Sequence, residues 1–469
     1  MFWAGLAVLL TGLWQAGNAY ETLNSSATIT LEDCEKIALN NHPTIRLSGQ
    51  EVKLAVLKKR EAYRAIWPNV SLKGEETQGK AVEDLGTPDF TEQNYGAQIT
   101  QCIFQGGKLY RTYQQTKSNF LASKAKKSKT EQEVVYGIRE SYWDLAKTKK
   151  VLGVYGEALK YLEKERSGAE ELLKNDIIPR QVYLTVNSQY NQAIYQMESA
   201  KAEFEARLWQ WTAALGYKTP PAFRPVDSTT TVASEDISLD LCLGLAETNH
   251  PDILIQKYSM EAALYGAKVA GSYLWPQIDL NGFYGRSGGA FKGETLTLRE
   301  DWQLGLKASL YFGGNSMNVS GLKQKTSPKL GQSSRTEIQT LSAAVGLLDG
   351  FKQKSDNEDA KLIFEQAQVQ MDKTVMDVLN GVREAYANWK KALAQLKTAE
   401  NDLALSRTDF DVAEIKASHH DAPFSERAVS RNKLAQSEIS LMDAQSSYKI
   451  SLASLNRAVG IADRFGEKQ

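Results

Sequence analysis

The stretch from Lys108 to Lys174 limits what this chain can fold into. It has no proline, is rich in Ala, Glu, Lys and Gln, and spaces its large apolar residues as a helix does. Ile138, Tyr142, Leu145, Leu152, Tyr155, Leu159 and Leu162 step by threes, fours and one seven, which makes a heptad seam. At about 1.5 Å per residue such a helix runs roughly 100 Å, several times the diameter of a small domain. A helix of that length with one narrow seam must bury it against other long helices.

The partners come from a duplication. A helix opening at Leu31, with Thr30 as N-cap, is interrupted at Asn41-His42-Pro43, and a second helical stretch ends at Trp67-Pro68. Asn249-His250-Pro251 and Trp275-Pro276 repeat these words 208 residues later, and Leu31/Leu239, Cys34/Cys242, Ala38/Ala246 and Gly74/Gly282 keep the same offset. Farther on, Gly106/Gly350, Arg139/Arg383, Tyr142/Tyr386, Pro179/Pro423 and Gly216/Gly460 stand 244 apart. The second copy therefore holds 36 extra residues, expected near 287–335. The division expected is an export signal over 1–19, a first repeat over 20–216, a Pro/Thr-rich linker over 217–236, a second repeat over 237–460 and a tail over 461–469. The signal rests on the apolar run Phe2–Leu13, followed by small residues at Gly17 and Ala19.

Past each Trp-Pro the period changes from helical to two. Val70 and Leu72 alternate with polar neighbours, as do Ile278, Leu280, Gly282 and Tyr284. Trp302, Leu304, Leu306, Ala308 and Leu310 alternate with Gln303, Gly305, Lys307 and Ser309. Segments of about ten residues with one apolar face suit a sandwich or a membrane barrel. In a membrane barrel, Leu304, Leu306 and Leu310 would be the residues to meet lipid. Four strands per chain leave open edges, and lipid offers an open edge no hydrogen bonds. A symmetric oligomer closes strands and helices together.

The ratio of 56 basic to 56 acidic residues gives no electrostatic case for nucleic acid. Three cysteines are too few for a disulfide framework and show no CxxC spacing. His42 and His250 each precede a proline at a helix break without a second ligand, so capping is expected of them rather than metal binding. No phosphate loop, nucleophile elbow or HExxH occurs, and no enzyme activity or cofactor is expected. His419-His420-Asp421 is read as a solvated turn rather than a metal site.

Taken in order, these words resemble the outer membrane efflux protein family, the TolC-like channels. The resemblance rests on Trp-Pro before the first strand, on the Phe-x-Gly-Gly and Leu-Asp-Gly turns after the strands, and on Leu-Asn-Arg-Ala-Val-Gly at 455–460. It covers about residues 30–460. It implies a mainly α fold with β, a duplicated helix–strand–strand–long helical hairpin unit. Three chains would form a 12-stranded β-barrel in the outer membrane, continued by a 12-helix periplasmic α-barrel. The implied function is an exit duct for efflux or type I secretion, working with a periplasmic adaptor and an inner-membrane transporter. The turns holding Asn175 and Pro179, and His419 and Pro423, would then face the adaptor. The family's acidic tip ring points to Glu426, with Asp421 as the alternative. The competing class is an exported coiled-coil scaffold that is not a channel.

Overall fold

The computed structural model describes residues 28–80, 89–221, 223–226, 237–326, 334–418 and 424–461. The expected export signal lies outside them. The first half opens on a short strand, β1 (Thr28–Ile29), after which α1 (Leu31–Asn41) and α2 (Pro43–Arg64) lead into β2 (Asn69–Lys80) and β3 (Asp89–Gln105). Helices α3 (Lys108–Lys174) and α4 (Arg180–Ala214) follow. A second short strand, β4 (Arg224–Pro225), pairs in parallel with β1 and ties the segment after α4 to the start of the fold. The second half runs through α5 (Leu239–Asn249), α6 (Pro251–Ala270), β5 (Gln277–Phe291) and β6 (Arg299–Phe312). It continues through β7 (Asn315–Thr326), β8 (Thr336–Gly346), α7 (Phe351–Ser418) and α8 (Phe424–Val459).

The helix breaks are made by the histidines. His42 Nδ1 accepts from the Thr44 N–H at 3.4 Å, and His250 Nδ1 accepts from the Asp252 N–H at 3.2 Å. In both places proline takes the first helical position, where a missing N–H costs nothing. Burial holds both imidazoles below the ordinary histidine pKa, which keeps a lone pair free to accept.

Each half builds its own core where its short helix meets its long hairpin. In the first, Cys34 and Ala38 of α1 pack with Ile138, Tyr142 and Leu145 of α3 and with Trp211 and Leu215. In the second, Cys242 and Ala246 pack with Val382, Trp389, Leu455 and Val459. The two tyrosines of the duplication do the same work: Tyr142 Oη donates toward the Ile29 carbonyl, and Tyr386 Oη donates to the Ile237 carbonyl at 3.1 Å. The three cysteines are free, and burial pushes Cys34 up to about 12. Farther down α3 the buried positions move from the expected seam to Val154 and Ala158, which pack on Ala435 and Ile439 of α8.

The sheet corrects one expectation. It has six strands, not four, in the order β2-β3-β5-β6-β7-β8, every neighbouring pair antiparallel. Beneath the sheet the helices lie side by side, with α3 in contact with α2, α4, α6 and α8, and α7 in contact with α6 and α8. No helix among the described residues is long and apolar enough to cross a membrane.

Candidate functional site

The sheet has two chemically different faces, fixed by the pairing register. Leu280 lies opposite Leu306, and Leu306 opposite Gly321, which in turn faces Leu341. Following these rows places Val70, Leu72, Ile99, Ile278, Leu280, Leu304, Leu306, Leu310, Met317, Val319, Leu341 and Val345 on one face. The three leucines expected to meet lipid thus share a face; Leu304 and Leu306 are exposed and Leu310 is half-buried. Tyr95, Tyr284 and Trp302 bound this apolar band at the end far from the helices. Phe104, Trp275 and Phe312 bound it near them, with Phe104 and Trp275 edge-to-face at 6.5 Å. From Trp302 to Phe312, about ten residues at ~3.4 Å each and a tilt near 40° give a band roughly 25 Å tall.

The opposite face is polar. Asp279 stands opposite Lys307, and Ser309 Oγ donates to Asn318 Oδ1 at 2.7 Å. The Ser320 and Ser342 hydroxyls bond each other at 2.7 Å.

Neither the sheet nor the helical layer is closed. The edge strands β2 and β8 are the most exposed of the six, with Leu72 at 88% and Leu341 at 81%. They run in opposite directions, so the edge of one copy can pair antiparallel with the other edge of a second. The outer helices carry exposed apolar rows to match: Leu47, Leu54 and Leu57 on α2, and Leu362, Val369 and Met376 on α7.

At the far end of the helices, Asn175 caps α3, Asp176 adopts a left-handed φ of 57°, and Pro179 is the N-cap of α4. His419, Asp421 and Pro423 lie outside the described residues. Glu426, in the first turn of α8, has its carboxylate 3.5 Å from Lys416 Nζ, and both are substantially exposed. Nearby is a polar network that sequence reasoning missed. Arg427 Nη2 sits 2.8 Å from the buried Glu165, joining α8 to α3. Asn432 Nδ2 donates to Gln189 Oε1, joining α8 to α4, and Lys433 Nζ lies 2.6 Å from Asp409, joining α8 to α7. Burial raises the Glu165 pKa while Arg427 pulls it back down. The signal was there in the sequence: Leu162, Glu165 and Ala169 fall on one helical face, and a carboxylate between two apolar residues needs a partner. No metal-ligating cluster occurs among the described residues.

A family model described as "Outer membrane efflux protein" matches residues 36–173 and 242–461. No curated protein matches the sequence. Among solved structures, the chain is similar to the CmeC outer membrane channel of Campylobacter jejuni, with TM-score 0.74, 15% identity, and 92% of this chain and 85% of that one covered. It is also similar to the open state of the MtrE outer membrane channel of Neisseria gonorrhoeae (0.71, 14%, 92% and 89%). A third likeness is to the outer membrane protein VceC of Vibrio cholerae (0.71, 15%, 92% and 96%).

Proposed function

Because the chain belongs to the outer membrane efflux protein family, we propose that it is an exit duct that passes cargo across the periplasm and the outer membrane as a homotrimer. The observation that carries this reading is the one-sided apolar band on a sheet with two open, oppositely running edges. Lipid covers such a band, and neighbouring copies satisfy the edges, because open edges do not survive in a bilayer. The same closure buries the apolar rows of α2 against those of α7 in the next chain and makes the helical layer a tube. The lipid-facing residues are then Leu304, Leu306 and Leu310, and the polar face lines the bore.

The chain divides into repeats over 20–216 and 237–460 joined by a linker over 217–236. The tips, with Asn175 and Pro179 on one hairpin and His419 and Pro423 on the other, dock a periplasmic adaptor coupled to an inner-membrane transporter. In a trimer Glu426 appears three times around one axis, and such a ring favours cations; Asp421 is the alternative.

The deciding experiment is conductance of the purified protein in a planar bilayer, together with a search for heat-modifiable trimers in outer-membrane fractions. Conducting trimers are expected. Soluble periplasmic monomers without conductance would leave the coiled-coil scaffold as the reading.

A further inference from the structure

The β7–β8 hairpin has no counterpart in the first half, and its setting says what it is. In the first half β3 ends in Gly106 (φ 55°) and Gly107 (φ 77°), and the chain enters α3 at once. In the second, β6 ends in Gly313 (φ 55°) and Gly314 (φ 84°), the same left-handed pair, yet the chain turns back into β7. It returns along β8 to the same level, where the Gly350 N–H donates to the Gly314 carbonyl at 2.9 Å, and only then enters α7. The 36 extra residues are therefore Asn315 to Gly350, farther along than the 287–335 expected from the repeat offsets, one hairpin spliced in at a helix entrance.

We propose that this hairpin is part of the membrane wall, so that three chains close an 18-stranded barrel rather than a 12-stranded one. The inference rests on the trimeric duct reading above. Two observations carry it. The first is the course of the apolar band. Its upper limit lies at Leu72 on β2 and Tyr95 on β3, at Tyr284 and Trp302 on β5 and β6, and at Gly321 and Leu341 on β7 and β8. Along the hydrogen-bonded rows Leu72 stands level with Trp302, whereas Leu341 stands level with Leu306. The limit is thus level from Leu72 on β2 to Trp302 on β6 and steps down by four residues at β7 and β8. That step leaves Lys323, paired with Glu337 at 3.1 Å and level with Leu304, outside the band. β7 and β8 extend the wall's own pairing without a register shift, and Met317, Val319, Leu341 and Val345 stay on its apolar face, which a hairpin folded into the bore or laid on the surface would not do.

The second observation is width. Four helices per chain, α2, α3, α6 and α7, lie abreast below the sheet. Twelve helices at about 9 Å apart make a circumference of about 110 Å. Eighteen strands tilted near 35° also make about 110 Å, whereas 12 at that tilt make only about 70 Å. At that tilt the added strands widen the wall to about 34 Å between backbones. Toward the bore the hairpin presents Asn318, Ser320, Thr340 and Ser342, amides and hydroxyls rather than charges. A wider wall, lined on its added strands by amides and hydroxyls, suits bulky hydrophilic cargo.

The test is crosslinking across the chain boundary, in a Cys102→Ser background. If β8 is the wall's edge, Leu72→Cys on one chain meets Leu341→Cys on the next, and oxidation of intact outer membranes yields chain-to-chain dimers. The pair Leu72→Cys and Leu304→Cys should yield none. Removing residues 315–350, which joins Gly314 to Phe351 as Gly107 joins Lys108, should move the crosslink to Leu304. Conducting channels in which Leu72 of the full-length chain crosslinks to Leu304, or fails to crosslink to Leu341, overturn the 18-stranded wall while leaving the duct intact. A protein that neither conducts nor forms trimers overturns the duct reading itself.

Discussion

Replacing Leu306 by arginine separates a lipid-facing wall from a soluble sheet. Leu306 lies on the apolar face about four residues below Trp302, which at ~3.4 Å per residue and a tilt near 35° is roughly 11 Å inside the aromatic boundary. That is close to the middle of a band about 25 Å tall, where an arginine on a barrel's outer surface costs about 2–4 kcal/mol. Every trimer carries the change three times, so the expected loss is about 6–12 kcal/mol per assembly. Gln303→Arg introduces the same side chain on the same strand but on the polar face, where water solvates it. Lys307→Glu on that face sets two like charges opposite each other, the new carboxylate against that of Asp279, at a cost of about 1 kcal/mol or less. The measurement is the fraction of heat-modifiable trimer in outer membranes, followed by urea titration of what assembles. Leu306→Arg should abolish or strongly reduce trimer, with Gln303→Arg close to the parent. Equal losses in the two arginine variants would refute the assignment of faces.

Cysteine placed at Asn175 should crosslink to a periplasmic adaptor, whereas cysteine at Asp89, at the far end of the sheet, should not; the reverse pattern would invert the orientation. Glu426→Ala should lower cation selectivity in single-channel recordings without affecting assembly. Selectivity unchanged in both Glu426→Ala and Asp421→Ala channels would remove the acidic ring. Glu35 meets the buried Arg139 at 2.6 Å, so Glu35→Ala should cost about 3 kcal/mol in denaturant melts, against under about 0.5 for the exposed Lys36→Ala. Burial and the nearby Lys150 hold Lys449 down to about 8 from an ordinary 10.5. Because the charged form is the disfavoured one, its cost is fully present below pH 8 and vanishes above 10.5, and stability should rise across that window. Lys449→Met should flatten that rise in thermal melts taken between about pH 7.5 and 10.5.

The helices were legible because their signals are local and redundant. Lys108–Lys174 is bounded by a glycine pair and by Asn175, and nothing within it interrupts the helix. The His-Pro breaks were legible for the same reason. The middle of the α3 seam was not, since Val154 and Ala158 are buried by α8, an element far along the chain whose approach leaves no local mark. Strands β7 and β8 were hidden by composition. Asn-Ser-Met-Asn-Val-Ser-Gly-Leu-Lys-Gln-Lys-Thr holds three large apolar residues in twelve, and its apolar band covers only Met317 and Val319 because the band's limit steps down at this strand. A strand that needs two neighbours to define its face cannot be read from its own alternation.

The duplication also explains why the sheet grew by a pair. In each half the chain leaves a helix, climbs one strand and descends another, so the next long helix begins at the level where the last one ended. One added strand would deliver α7 to the wrong side of the sheet and set the edges of neighbouring copies parallel. Two added strands change neither. Asn315–Gly350 leaves and returns at one level, Gly350 is bonded back to Gly314, and β8 runs opposite to β2 as β6 does. The insertion therefore enlarges the sheet while the helical hairpin below keeps its register: Tyr386 still reaches its carbonyl as Tyr142 does.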